Sequence, residues 1–148
     1  MKSAKKMSGK VEDIKLISVE IEGVNEPVIL RYFDTMNSGS FMETARLFAL
    51  EGELNPPFEE PVVGEEAIGR YLEAEAKNMK LFPVKGSVEK LEEENLLKVA
   101  VSGRVETLWF GVNINWLFFL NAQKKITSAT IKLVASPEEL LKLRQFKS

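Results

Sequence analysis

The sequence predicts an α+β domain on three observations. Apolar residues recur at helical spacing in the first half, they alternate with polar residues in the second, and a further helix start signal follows the last strand pattern. Helices first and strands afterwards imply three N-terminal helices packed on a strongly bent antiparallel sheet, with a C-terminal helix to finish.

The elements follow in order. Residues 1–15 read as a flexible basic tail, and 16–148 as one domain. Ile14 to Ile21 alternates, with Ile17, Val19 and Ile21 apolar against Ser18, Glu20 and Glu22, as in a short strand or extended lead-in. Gly23 breaks it. Asn25 is placed to cap a helix with Pro27 in its first turn and Val28, Ile29, Tyr32, Phe33 and Met36 on one stripe, so Tyr32 is expected to be buried. Gly39 closes that helix. Ser40 with Glu43 has the capping-box pattern for a second helix, whose apolar residues include Phe41, Ala45, Leu47, Phe48 and Leu50.

Leu54 to Phe58 contains Pro56 and Pro57, which exclude a helix interior and a central strand, so a turn beside a short edge strand is expected. A third helix is predicted from Glu65 to about Met79, carrying Ala67, Ile68, Tyr71, Leu72 and Ala76 in phase despite Gly69. Four strands come next: Val84 to Leu91, Leu97 to Trp109, Val112 to Leu120 and Lys125 to Val134, with turns at Glu93 to Asn95, Gly111 and Asn121 to Gln123. Ser136, Pro137 and Glu138-Glu139 then open the final helix through Leu140, Leu141 and Leu143.

Composition excludes several functions. The 148 residues carry 20 basic and 22 acidic side chains, a net charge of −2, which gives no footprint for a nucleic-acid backbone. Cysteine and histidine are absent, which removes disulfides, thiolate nucleophiles, the usual zinc sites and histidine acid–base chemistry. No bound metal is expected. Nor does any apolar run approach the roughly 18 residues a membrane span needs, and no apolar stretch follows the basic Met1 to Lys10, so the expected location is cytoplasmic.

Catalytic patterns are missing: there is no glycine-rich phosphate cradle, no nucleophile elbow and no carboxylate pair within an apolar run. Glu92 to Glu94 reads as a solvated turn, and Glu65 and Glu66 suit a helix N-terminus. Aromatic residues are concentrated instead. Trp109, Phe110, Trp116, Phe118 and Phe119 fall within eleven positions, and buried tryptophan and tyrosine must find partners for their N–H and O–H groups. They are core residues, or they donate to a ligand carbonyl. The strand from Val112 to Leu120 is apolar on one face (Val112, Ile114, Trp116, Phe118, Leu120) and turns apolar on the other at Leu117 and Phe119. That second face suits a homodimer through the sheet, or a helix of the same chain.

An ordered set of segments then points to a family: Ile21 to Val24, Tyr32-Phe33-Asp34-Thr35-Met36-Asn37, Asn55-Pro56-Pro57-Phe58, Val63-Gly64, Asn78 to Leu81, Trp109-Phe110-Gly111 and Ala135 to Leu141. From about residue 19 onward the chain resembles the C-terminal domain of the cyanobacterial orange carotenoid protein and its stand-alone homologues. The resemblance implies a nuclear-transport-factor-2-like cone. It also implies that Tyr32 and Trp116 donate hydrogen bonds to the keto group of a ketocarotenoid of the canthaxanthin or echinenone type, held non-covalently. Met79, Leu81, Val105, Trp109, Ile114 and Phe118 would line the cavity, and the implied role is carotenoid carriage related to photoprotection. A carotenoid is longer than one small domain is wide, so a second copy or a helical carotenoid-binding protein is the implied partner.

Arg31-Tyr32 and Leu47-Phe48-Ala49 also resemble ketosteroid isomerases, in which a tyrosine and a protonated aspartate form an oxyanion hole and a separate aspartate is the base. By that resemblance the second donor position holds Trp116 and the base position holds Pro56. Two donors without a base can hold a ketone but cannot move its α-proton, so binding without catalysis is expected. The alternatives are an isomerase-like enzyme using Asp34 or Glu75, and a dimeric interaction module whose cavity is filled by its own side chains. In two places the chain departs from the carotenoid family: the stretch between Trp109 and Trp116 is shorter, and Ala76 stands where a cysteine is expected.

Overall fold

A computed structural model describes residues 19–134. The expectations for the tail, for the strand before Val19 and for the final helix lie outside the described residues. Within them the elements are α1 (Pro27–Ser38), α2 (Phe41–Ala45), β1 (Phe48–Asn55), β2 (Val62–Val63), α3 (Glu65–Glu75), β3 (Lys80–Leu91), β4 (Leu96–Glu106), β5 (Gly111–Leu120) and β6 (Ile126–Leu133), with a 3-10 turn at Glu92–Glu94. The fold is α+β: three helices beside a curved six-stranded sheet of order β2-β1-β6-β5-β4-β3.

Helix α1 forms as its sequence dictates. Pro27 occupies the first turn, where its missing N–H is not needed. Glu26, not Asn25, holds the cap position, and no side chain caps the helix. At the other end Gly39 takes a left-handed φ of 76°. Its N–H reaches Met36 O, and Ser40 N–H reaches Thr35 O, the two bonds of a Schellman ending.

The second helix is shorter than its apolar pattern predicts. It stops at Ala45, and Phe48 opens β1 instead of continuing the stripe. The reason is tertiary: Phe48 pairs with Ile126, and Glu53 to Asn55 pair in parallel with Ser128 to Thr130, so ladder bonds replace helical ones. The register breaks between Phe48 and Glu53, and Leu50 is 90% exposed there. The capping box does not form either, since Ser40 Oγ meets Ser38 Oγ at 3.0 Å. Strand β1 is therefore flanked on both sides, by β2 and β6, and is not an edge. Its pairing stops before Pro56, which has no N–H to give.

Helix α3 also ends early, at Glu75, so Met79 lies beyond it. A Cβ at Gly69 would overlap Met42 Sδ, which shows how closely α3 packs on α2. The predicted antiparallel meander is present as β3-β4-β5-β6, while β1 makes the whole sheet mixed by joining β6 in parallel. Strand β3 begins at Lys80, ahead of the expected Val84. Pro83 is accommodated because β3 is an edge strand with a register shift at that point. Strand β4 ends at Glu106, and the connection to β5 is closed by Thr107, not by Gly111: Thr107 Oγ1 accepts from Trp109 N and Phe110 N and donates to Phe110 O.

The core sits between the helices and one face of the sheet. Ile29, Phe33, Val99, Phe118, Leu120 and Ile126 are among its fully buried members. No described helix is long and apolar enough to cross a membrane.

Candidate functional site

The inward stripe of α1 and the covered face of β5 meet in a cluster of four aromatic rings. Tyr32 and Phe33, adjacent on α1, are both 0% exposed, as a helix face packed on a sheet requires. Trp116 and Phe118 lie two residues apart on β5 and so point to the same face. Tyr32 meets Phe118 edge-on with ring centroids 5.0 Å apart. Phe33 meets Trp116 at 4.8 Å and an interplanar angle of 90°, Tyr32 at 5.2 Å, and Phe118 at 6.1 Å. These are the separations at which an edge is attracted to a ring face.

One polar atom in this cluster is unaccounted for. Tyr32 Oη is buried and has no hydrogen-bond partner among the described residues. Burial alone raises the phenol's pKa above its ordinary value, so the group stays protonated and remains a donor. A buried hydroxyl without a partner forfeits on the order of 1–3 kcal/mol, which a ligand acceptor would restore.

The surrounding wall is built by strand register. Leu81 on β3 pairs with Val105 on β4, Gly103 pairs with Ile114, and Val101 pairs with Trp116, so Leu81, Val105, Ile114, Trp116 and Phe118 line one face in sequence. All five are buried in the core cluster, and Met79 packs partly buried against it. Six of the eight residues singled out in the sequence thus come together, with Met79 at the margin. Trp109 is the exception: it is 78% exposed on the connection after β4 and does not join the cluster. Its strand ends three residues earlier than the apolar pattern implies, and the Thr107 bonds close the chain into a turn.

Two supports escape sequence reasoning. The amide of Asn37, at the end of α1, binds both Leu81 O and Leu81 N at 2.8 Å, completing the end of β3. Between α1 and α2, the hydroxyls of Thr35 and Thr44 share a 2.6 Å hydrogen bond, and each also reaches a carbonyl of its own segment, Arg31 O at 2.8 Å and Ser40 O at 3.4 Å. Neither contact has a local signal, because asparagine and threonine are common surface residue types and the Asn37 bonds go to the main chain of Leu81.

The two carboxylates considered as acid–base groups are placed elsewhere. Asp34 Oδ1 accepts the Val19 N–H at 3.1 Å, which ties the lead-in to α1. Glu75 is exposed at the end of α3. Pro56 is buried directly after β1. No group of three or more metal-ligating side chains occurs among the described residues. An open groove of about 650 Å³ runs along the lead-in, lined in part by Val19, Ile21, Val24, Leu30 and Val84 and apart from the aromatic cluster.

Known proteins resemble this chain in sequence and fold. Residues 24–131 match the nuclear transport factor 2 (NTF2) domain. The orange carotenoid-binding protein of Limnospira maxima is 42% identical over 129 residues, which is 84% of this chain and 40% of that protein. Its counterpart from Synechocystis sp. is 42% identical over 127 residues, 83% of this chain and 40% of that protein. The structure of the Anabaena (Nostoc) sp. orange carotenoid protein binding canthaxanthin superposes with a TM-score of 0.77 at 40% identity, over 88% of this chain and 43% of that one. The chain spans about two-fifths of the length of these relatives. It belongs to the nuclear transport factor 2 domain family and is homologous to the C-terminal domain of the orange carotenoid-binding proteins.

Proposed function

We propose that this chain binds a ketocarotenoid non-covalently and does not catalyse a reaction on it. The observation that carries this reading is the protonated, fully buried Tyr32 hydroxyl with no partner among the described residues. It lies in an apolar cluster with Trp116, whose indole N–H is a second donor. A keto oxygen at the end of a long apolar molecule is an acceptor suited to that place. The homologous Anabaena protein described as binding canthaxanthin supports this class of ligand.

Tyr32 and Trp116 hold the carbonyl in this reading. Leu81, Val105, Ile114 and Phe118 face the terminal ring, with Met79 at the margin. The polyene is longer than the domain, so the remainder passes Trp109 at the rim and is covered by a second copy of the chain, through the sheet, or by a helical carotenoid-binding protein. The wider role is carriage of the pigment in the cytoplasm, in connection with photoprotection. Hydrogen bonds to the carbonyl stabilise the charge it gains on excitation and move the absorption to the red.

The test is the visible spectrum of the protein purified from cells that make canthaxanthin, beside Tyr32→Phe and Trp116→Phe. A red-shifted wild type whose shift falls in both variants supports the reading. A colourless wild type sinks it, and the close packing of Phe33 on Trp116 then favours an interaction module with a self-filled cavity.

A further inference from the structure

Phe33 touches both residues of the carbonyl clamp. Its ring centroid lies 4.8 Å from that of Trp116 and 5.2 Å from that of Tyr32, edge-on in each case. A carbonyl oxygen bonded to Tyr32 Oη and to the Trp116 indole N–H must lie within about 3 Å of each donor. It brings with it a substituted ring wider than any gap between contacting aromatic side chains. Both donor-bearing rings are contacted by Phe33, and that of Tyr32 also by Phe118 at 5.0 Å.

Phe118 is fixed on the central part of the sheet, where β4 and β6 flank β5 on either side. Phe33 is on α1, and a phenylalanine on a helix has two well-populated χ1 states, which aim the ring at different places. Of the two, Phe33 is the ring carried by a helix, so its rotation about χ1 would not disturb a strand. We infer that Phe33 is the gate of the site: it fills the place of the ligand's terminal ring in the empty protein and swings away to admit it. This inference rests on the proposed carbonyl clamp and adds to it the residue that sets how readily a ring enters.

The consequence is quantitative. When only a fraction of molecules has the gate open, the apparent dissociation constant is raised by the inverse of that fraction. A smaller side chain at position 33 removes that penalty, and a minor open state of about 10% implies roughly tenfold tighter binding in the variant.

The experiment compares wild type, Phe33→Leu and Phe33→Met with Phe41→Leu, a loosening of the buried core on α2, an element that carries none of the four rings. Two probes are used: canthaxanthin delivered from detergent micelles, followed by its absorption, and acetophenone, a small aryl ketone, followed by Trp116 fluorescence in a Trp109→Phe background. Phe33→Leu and Phe33→Met are expected to bind acetophenone at least about fivefold more tightly than wild type and to load canthaxanthin faster with the red shift retained. Phe41→Leu should match wild type. Unchanged binding of both probes in the Phe33 variants, or an equal gain in Phe41→Leu, overturns the gate. If no chain takes up canthaxanthin but the Phe33 variants gain acetophenone affinity, the gate stands and the carotenoid reading falls; if no chain binds either probe, both fall.

Discussion

The side chain of Asn37 holds the main chain of Leu81 by two 2.8 Å hydrogen bonds across 44 residues of sequence. The amide acts as one more unit of strand, donating to Leu81 O and accepting from Leu81 N where β3 begins. It joins the end of the tyrosine-bearing helix to the wall that carries Leu81 and Val105. Replacing Asn37 by Ala removes both bonds, and the expected loss is about 2 kcal/mol of stability in urea denaturation. Asn37→Asp retains the acceptor alone and should fall between. Equal stability of all three would show that water replaces the amide freely.

Tyr32→Phe separates stability from binding. The hydroxyl has no partner among the described residues, so its removal is expected to leave the empty protein as stable as wild type or to stabilise it by up to about 2 kcal/mol. The loaded protein should lose red shift and affinity instead. A Tyr32→Phe protein that melts several degrees lower when empty would mean the hydroxyl has a structural partner.

The same residue sets an alkaline limit. Burial raises the Tyr32 pKa in the folded state, so from about pH 10 upward the unfolded chain releases a proton that the folded chain retains. Stability from this group is whole below pH 10 and falls above it, with a slope of at most about 1.4 kcal/mol per pH unit. Tyr71 adds to the loss in the same direction: partial burial, then the nearby Glu59 carboxylate, pushes it up to about 12. Denaturation midpoints between pH 9 and 11 should fall less in Tyr32→Phe than in wild type. Parallel curves would show that the phenol is solvated at high pH.

The buried threonine pair gives a third case, in which two changes are expected to be milder than one. Thr35→Val leaves the Thr44 hydroxyl buried without its 2.6 Å partner, and about 1–3 kcal/mol should be lost. Thr35→Val with Thr44→Val removes both hydroxyls and keeps the shape, so the double variant should recover most of that loss. Additive losses would show that each hydroxyl matters independently.

Local patterns were legible where local physics decides. The stripe through Ile29, Tyr32, Phe33 and Met36, the Gly39 ending and the alternation from Val112 to Leu120 all carry their outcome in the residues themselves. What the sequence hid is long-range. Phe48 looks helical beside Ala45 but is claimed by Ile126, 78 residues away, and nothing near Asn37 announces Leu81. Trp109 shows the same limit from the other side, because apolar character at the end of a strand says nothing about where the chain turns.

Trp109 therefore gives the prediction that most directly tests its place in the site. At 78% exposure it contributes little to the fold, and Trp109→Ala should leave the stability of the empty protein within about 0.5 kcal/mol of wild type. If the polyene leaves the cavity past this side chain, its removal uncovers apolar surface of the bound pigment at the rim. Loss of canthaxanthin to excess detergent micelles should then be faster, by about tenfold for an aromatic contact of 1–2 kcal/mol. A release rate equal to wild type would place the pigment's path elsewhere, and the exposed tryptophan would then have to be explained by a contact unrelated to the ligand.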